Sequence, residues 1–112
     1  MRRVLFICGR GRHRSPTAAQ FFSSNADWET DSAGLGADSD DVVSAGQVVW
    51  ATDIAVMEKR LQARLRQMFP KLVSGKRIVC LDVPDDFAFM QEELIALLRA
   101  RIGRLGQVSQ CP

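Results

Sequence analysis

Short apolar runs alternate with segments of helical character along the chain, and this order constrains the fold most. The first run, residues 4–8 (VLFIC), is apolar at every position and ends at Gly9. A run without polar alternation is typical of a strand that is buried on both faces of a sheet. Four such runs, each followed by a helical segment, predict a parallel sheet whose right-handed crossovers place helices on both faces.

The other elements are predicted from spacing and from turn residues. The pair Ser15-Pro16 predicts a helix that has serine at its N-cap and proline at its first position. The second strand is predicted over residues 28–33 and the fourth over residues 78–81. The third strand is predicted from the apolar residues 48–50 and 54–57, and the pattern does not fix the residue at which it starts. Helices are predicted over residues 42–47, 58–69 and 92–102, and residues 103–112 are predicted to form a flexible tail.

Length and composition favour one globular domain over residues 1–112. The chain is 46% hydrophobic and 25% charged, with a net charge of +2. These values argue against disorder, and the charge is too small to predict a nucleic-acid partner. No apolar run approaches the roughly 20 residues of a membrane span, and the first residues do not resemble a signal peptide. We therefore expect a cytoplasmic protein with no membrane partner, whose oligomeric state the composition leaves open.

The three cysteines, Cys8, Cys80 and Cys111, are odd in number and lie far apart. That arrangement is not a disulfide framework. No CxxC motif is present and His13 is the only histidine, so we expect neither a metal site nor another cofactor.

The loop that follows the first predicted strand carries the strongest functional signal. Residues 8–15, CGRGRHRS, contain a cysteine followed six positions later by an arginine. A short loop that enters a helix directs backbone N–H groups at one point, and the helix dipole adds positive potential. This loop is expected to bind a phosphoryl group through Gly9, Arg10, Gly11, Arg12, His13 and Ser15.

Two side chains of this loop have the chemistry of a phosphoryl-transfer site. The positive field favours the thiolate form of Cys8, which can attack phosphorus and form a covalent intermediate. The planar fork of Arg14 can bind two phosphoryl oxygens. Such a reaction also needs a carboxylic acid to protonate the leaving group, and Asp82, Asp85 and Asp86 follow the fourth predicted strand.

Four segments together resemble the low-molecular-weight protein tyrosine phosphatases: residues 8–18 (CGRGRHRSPTA), 31–34 (DSAG), 53–58 (DIAVME) and 81–87 (LDVPDDF). The last of them is similar to a compact bacterial branch. The resemblance implies a flavodoxin-like, three-layer α/β fold with a four-stranded parallel sheet and a phosphate-binding loop after the first strand. It also implies a metal-free phosphomonoesterase in which Cys8 is the nucleophile, Arg14 the phosphoryl clamp and Ser15 the partner of the thiolate.

The chain departs from the pattern of this family at three places. Gly11 stands where the family usually has asparagine, and His13 stands where many members have a second cysteine. The family's acid is an aspartate directly before proline, whereas Asp82 precedes Pro84 by two positions and Asp85 follows it. Asp82 is the expected acid because it leaves the strand end nearest the phosphate loop, and Asp85 is the alternative.

The leading prediction is a phosphatase that acts on a phosphorylated protein or on a small phosphomonoester. Phosphotyrosine is one of the phosphomonoesters that this prediction includes. Two other functions use the same loop. A phosphate- or phosphopeptide-binding module would keep the loop without productive acid catalysis. An arsenate reductase would need further thiols, and Cys80, predicted to lie in the core, and Cys111, in the predicted tail, are poor candidates for that role.

Overall fold

The computed structural model describes residues 2–9, 13–36, 39 and 42–105. Within these residues, four strands alternate with four α-helices. The strands are β1 (Arg2–Cys8), β2 (Trp28–Gly34), β3 (Asp53–Val56) and β4 (Arg77–Cys80). The helices are α1 (Arg14–Phe22), α2 (Ala45–Trp50), α3 (Lys59–Met68) and α4 (Glu92–Arg101), and a short 3-10 helix, Ile102–Leu105, follows α4. None of the helices in these residues is long and apolar enough to cross a membrane.

The strands form one parallel sheet in the order β2-β1-β3-β4, with β1 and β3 at its centre. Residues Leu5 and Ile54 lie opposite each other in the central pair, and Ile54 lies opposite Ile78 in the next. Since all strands run the same way, their carboxyl ends meet at one edge of the sheet. In open α/β sheets this edge is where ligands bind.

Two apolar layers cover the two faces of the sheet. Leu5 and Ile7 of β1 lie on one face, in the cluster to which α2 and α3 contribute. Val4, Phe6 and Cys8 lie on the other face, in the cluster to which α1 and α4 contribute. The first strand is therefore buried on both faces, as its uninterrupted apolar sequence predicts.

Three local predictions differ from the structure. Helix α1 begins at Arg14 with His13 at its N-cap, so that Ser15 lies inside the first turn rather than at the cap. Residues 48–50 belong to α2 and not to the third strand, because Ser44 and Gln47 form a capping box that starts a helix at Ala45. Residues 103–105, predicted to belong to a flexible tail, lie in the 3-10 helix and bury Leu105, whereas residues 106–112 lie outside the described part of the chain.

Candidate active site

Cys8 and Ser15 meet at the carboxyl end of β1. Cys8 is buried at the last position of the strand, and its Sγ lies 3.0 Å from Oγ of Ser15. The same Oγ lies 3.2 Å from the carbonyl oxygen of Ala33 on β2. Because a hydroxyl carries one proton, Ser15 can donate it either to a thiolate or to this carbonyl. The arrangement lets the hydroxyl stabilise the sulfur in its anionic form.

Arg14 opens α1 and is almost completely buried, with 2% of its side chain exposed. Its Nη1 donates to Oε2 of Glu58 at 2.8 Å and to the carbonyl oxygen of Val83 at 2.8 Å. Its Nε is buried and has no hydrogen-bond acceptor among the described residues. The nearest carboxylate oxygen to this Nε belongs to Asp85 and lies 3.6 Å away, beyond hydrogen-bond distance, so that a bound anion would supply the hydrogen bond that the buried donor lacks.

Glu58 directly follows the loop residue Met57 at the end of β3 and bridges two arginines. Its Oε2 accepts from Arg14, and its Oε1 accepts from Nε of Arg60 at 2.6 Å. Burial raises the pKa of Glu58, but the hydrogen bonds and charges of Arg14 and then Arg60 outweigh it, so that the pKa lies below its usual value. Glu58 is therefore a carboxylate under ordinary conditions and orients the guanidinium of Arg14.

Sequence reasoning does not assign a role to Glu58, because residues 58–69 have the pattern of an amphipathic helix. Its position right after the third strand is the one signal that could have identified it, since that loop reaches the ligand-binding edge of the sheet.

Gly9 lies where the side chains of two arginines approach the loop. A Cβ at this position would lie 3.3 Å from Nη2 of Arg60 and 4.0 Å from Nη2 of Arg14. Its carbonyl oxygen accepts hydrogen bonds from the backbone N–H of Gly36 at 2.9 Å and from Oγ of Ser39 at 3.0 Å. The start of the predicted phosphate loop is thus fixed to the segment that follows β2, and the absence of a side chain leaves room for Arg60.

The two candidate acids point in different directions. An oxygen of Asp85 lies 3.6 Å from Nε of Arg14. The carboxylate of Asp82 instead lies 3.4 Å from Nη1 of Arg104, and its other oxygen accepts from the thiol of Cys80 at 3.6 Å. Asp82 adopts a left-handed backbone conformation with φ of 56°. The structure therefore brings Asp85, rather than Asp82, next to the arginine of the candidate site.

The other predicted binding residues divide into two groups. His13 is exposed at the N-cap of α1, and no side-chain hydrogen bond caps that helix. Arg10, Gly11 and Arg12 lie outside the described residues.

Cys80, which was expected in the core, is only half-buried, and burial is the main cause that raises the pKa of its thiol. Among the described residues, no three histidine, cysteine or acidic side chains form a group that could hold a metal ion.

Solved structures with the same architecture are numerous. The low-molecular-weight protein tyrosine phosphatase SP-PTP from Streptococcus pyogenes matches with a TM-score of 0.74 and 16% identity, over 96% of this chain and 95% of that one. The tyrosine phosphatase Wzb from Escherichia coli K30, solved with phosphate, matches with a TM-score of 0.71 and 15% identity, over 91% and 94%. The YwlE arginine phosphatase from Geobacillus stearothermophilus matches with a TM-score of 0.63 and 19% identity, over 94% and 86%.

No protein-family model and no curated protein matches the sequence. At identities this low, the likeness to solved structures shows the fold. The chain has the α/β fold of the low-molecular-weight phosphatases, which confirms the predicted fold class and, at the level of the fold, the resemblance noted in the sequence.

Proposed function

We propose that this protein is a cysteine-dependent phosphatase that hydrolyses phosphomonoesters through a phosphocysteine intermediate. The observation that carries the proposal is the convergence of Cys8, Ser15 and Arg14 at the carboxyl edge of the sheet. There, Sγ of Cys8 is 3.0 Å from a hydroxyl, and Nε of the neighbouring guanidinium is a buried donor with no hydrogen-bond acceptor among the described residues. This combination suits a phosphoryl group, which needs a nucleophile on one side and charged donors around its oxygens.

In the proposed binding step, the phosphoryl group enters the loop of residues 9–15 above Cys8. Nε of Arg14 donates to one of its oxygens, while Glu58 and the carbonyl of Val83 hold Nη1 in place. The expected roles of Gly9, Arg10, Gly11, Arg12 and His13 in binding the other oxygens remain part of the proposal.

The chemistry proceeds in two displacements at phosphorus. The Cys8 thiolate attacks, so that an S–P bond forms and the P–O bond to the leaving group breaks. A carboxylic acid transfers its proton to the leaving oxygen in this step. Water then attacks the phosphocysteine and gives its proton to the same residue, now a carboxylate. The S–P bond breaks, and inorganic phosphate and the Cys8 thiolate are released.

We assign the acid role to Asp85 in place of the expected Asp82. Asp85 is exposed, and its carboxylate lies 3.6 Å from Nε of Arg14, which places it beside the phosphoryl group in this proposal. The carboxylate of Asp82 is engaged with Arg104 and Cys80 instead, and Asp82 remains the alternative. An acid must reach the leaving group within about 3 Å or through one water, so position decides between the two.

We further propose a phosphorylated protein or a small phosphomonoester as the substrate, in the cytoplasm. A cysteine nucleophile requires a reducing compartment, since an oxidised sulfur cannot attack phosphorus. Because two of the similar folds are described as tyrosine phosphatases and one as an arginine phosphatase, peptides carrying phosphotyrosine and phosphoarginine are the substrates to compare.

The test is turnover of 4-nitrophenyl phosphate by the reduced protein in mildly acidic buffer without added metal. Cys8→Ser should abolish turnover, and the matched variant Cys80→Ser, half-buried at the end of β4, should keep it. Rapid acid quenching followed by peptide mass spectrometry should find phosphate on Cys8. On phenyl phosphate, whose leaving group is more basic and needs the proton, Asp85→Asn should lower the rate about 100-fold or more, and Asp82→Asn much less.

Three results would overturn these assignments. A folded wild-type protein that binds phosphate without turnover would be a binding module. Consumption of thiol that depends on arsenate, without phosphatase turnover, would identify an arsenate reductase. A greater loss in Asp82→Asn than in Asp85→Asn would return the acid role to Asp82.

A further inference from the structure

Residues 82–90, which lie within the segment between β4 and α4, carry the proposed acid and form what we call the acid loop. Two non-glycine residues of the described chain adopt left-handed backbone conformations, and they are the first and last residues of this loop. Asp82 has φ of 56° and Met90 has φ of 62°. Such conformations are costly for residues with a side chain, so each end of the loop needs support from its surroundings.

Arg101, from the last turn of α4, supports the first end. Its Nη1 donates to the carbonyl oxygen of Asp82 at 2.6 Å and to that of Leu81 at 2.9 Å. One guanidinium thus binds the carbonyl groups on both sides of the left-handed Asp82 backbone. Val83 follows directly, and its carbonyl accepts from Nη1 of Arg14. Arg101 is therefore connected to the candidate site through two residues of backbone.

At this end of the loop, the side chain of Val83 packs in the core, while its two neighbours are open to solvent. A pocket of about 440 Å³ lies beside it, lined by Met57, Glu58, residues 82–84, Arg101 and Arg104. Asp82 and Pro84 are exposed, and only Val83 between them is buried. The backbone N–H of Val83 also donates to the carbonyl oxygen of Met57 at 2.9 Å, so that Arg101 shares the support of this end with one backbone hydrogen bond and one buried side chain.

Thr17, from α1, supports the other end. Its side chain is buried, and its Oγ1 accepts from the backbone N–H of Met90 at 2.8 Å. Thr17 lies one turn of helix after Arg14. The same helix therefore contacts the acid loop at Val83, near the start, and at Met90, at the end.

We propose that Arg101 and Thr17 are positioning residues that hold the two ends of the acid loop, and through it the carboxyl group of Asp85, over the candidate site. This inference rests on the proposed function, since it concerns the acid of that reaction. Neither residue touches the phosphoryl group, so their loss should impair protonation of the leaving group and leave attack by Cys8 nearly unchanged.

The test compares two substrates that differ in their need for an acid. Phenyl phosphate releases a phenolate as basic as that of tyrosine, whereas 4-nitrophenyl phosphate releases a much weaker base. Arg101→Met and the isosteric Thr17→Val should each lower kcat/KM, which reports the steps up to formation of the phosphocysteine, about tenfold on phenyl phosphate and about twofold or less on 4-nitrophenyl phosphate. The matched controls are Arg99→Met, an exposed arginine on α4, and Thr17→Ser, which keeps the hydroxyl; both should behave like the wild type.

Hydrogen–deuterium exchange supplies a second measurement that does not depend on turnover. Exchange of residues 82–90 should become faster in Arg101→Met and Thr17→Val, and the strands should stay protected. Equal losses of kcat/KM on both substrates, or unchanged exchange in the acid loop, would overturn the positioning role. If the wild-type protein turns over neither substrate, the proposed function fails, and the exchange experiment still decides whether the two residues hold the loop.

Discussion

Nη1 of Arg14 and Oε2 of Glu58 lie 2.8 Å apart, and this contact joins the N-terminus of α1 to the end of β3. The guanidinium is buried, whereas 30% of the Glu58 side chain is exposed. The carboxylate therefore balances the charge of Arg14, while Nε, 3.6 Å from an oxygen of Asp85, has no hydrogen-bond acceptor within the described part of the chain. Within the proposed function, Glu58 keeps the clamp in place before the substrate arrives.

Removal of Glu58 should destabilise the fold. Glu58→Ala leaves the buried Arg14 guanidinium without a carboxylate partner, and we expect the free energy of unfolding to fall by ~2 kcal/mol, less than for a completely buried pair because Glu58 is partly exposed. Urea unfolding near neutral pH measures this change. Glu93→Ala, which removes an exposed glutamate of α4, is the control and should have little effect. Equal stability of Glu58→Ala and the wild type would contradict the structural role of the pair.

The same contact predicts a dependence of stability on pH. Burial raises the pKa of Glu58, but Arg14 and Arg60 lower it further, so the folded protein holds the pKa below the ordinary 4.5. The contact therefore contributes stability above that value and loses it as the pH falls through the lower pKa of the folded state. Urea unfolding at several pH values below 4.5 should show a steeper loss of stability for the wild type than for Glu58→Gln. Parallel curves would mean that Glu58 titrates alike in the folded and unfolded states.

Ser15 should act on the reactivity of Cys8 and not on substrate binding. Ser15→Ala removes the hydroxyl that lies 3.0 Å from Sγ, and a hydrogen bond to a charged group contributes about 1.5–3 kcal/mol. We expect kcat to fall about tenfold to 100-fold with little change in KM. Alkylation of Cys8 by iodoacetamide should slow as well. Ser23→Ala, at the exposed end of the same helix, should keep wild-type values, and a change confined to KM would argue against the role of Ser15.

Much of this architecture could be predicted from sequence because it depends on local patterns. The uninterrupted apolar run of residues 4–8 predicts a central strand, and the turn from Gly9 into Ser15-Pro16 predicts a helix directly after it. Those two elements alone bring Cys8, Arg14 and Ser15 to one edge of the sheet. The predicted start of α1 was wrong by two residues, since Ser15 contacts Cys8 rather than capping the helix.

The remaining features depend on contacts between residues distant in sequence. Glu58 reaches Arg14 only because β3 pairs with β1, a fact that the pattern of α3 does not contain. The choice between Asp82 and Asp85 depends on the left-handed backbone at Asp82, which turns its carboxylate towards Arg104. Asparagine and aspartate adopt this conformation more readily than most residues, but the sequence does not show where they do so.

Arg60 should favour substrates that carry a second negative charge beside the phosphoryl group. Its side chain is 68% exposed, its Nε is held by Glu58, and its Nη2 lies against the backbone at Gly9, next to Cys8. Arg60→Ala should raise KM about threefold for an aryl phosphate with a ring carboxylate and leave KM for phenyl phosphate almost unchanged, because an exposed ion pair contributes little. The difference should shrink as salt is added, since exposed charges are screened.

Steady-state kinetics of the two substrates, at low and at high salt, measure this preference of Arg60. Arg66→Ala, an exposed arginine in the last turn of α3, provides the control for the loss of one positive charge from the same helix. If Arg66→Ala raised KM as much as Arg60→Ala, the effect would come from the net charge of the protein. If only Arg60→Ala does so, and only with the carboxylated substrate, the guanidinium beside Gly9 contacts the substrate itself. Arg60 would then extend the site beyond the phosphoryl group that Arg14 and Cys8 address.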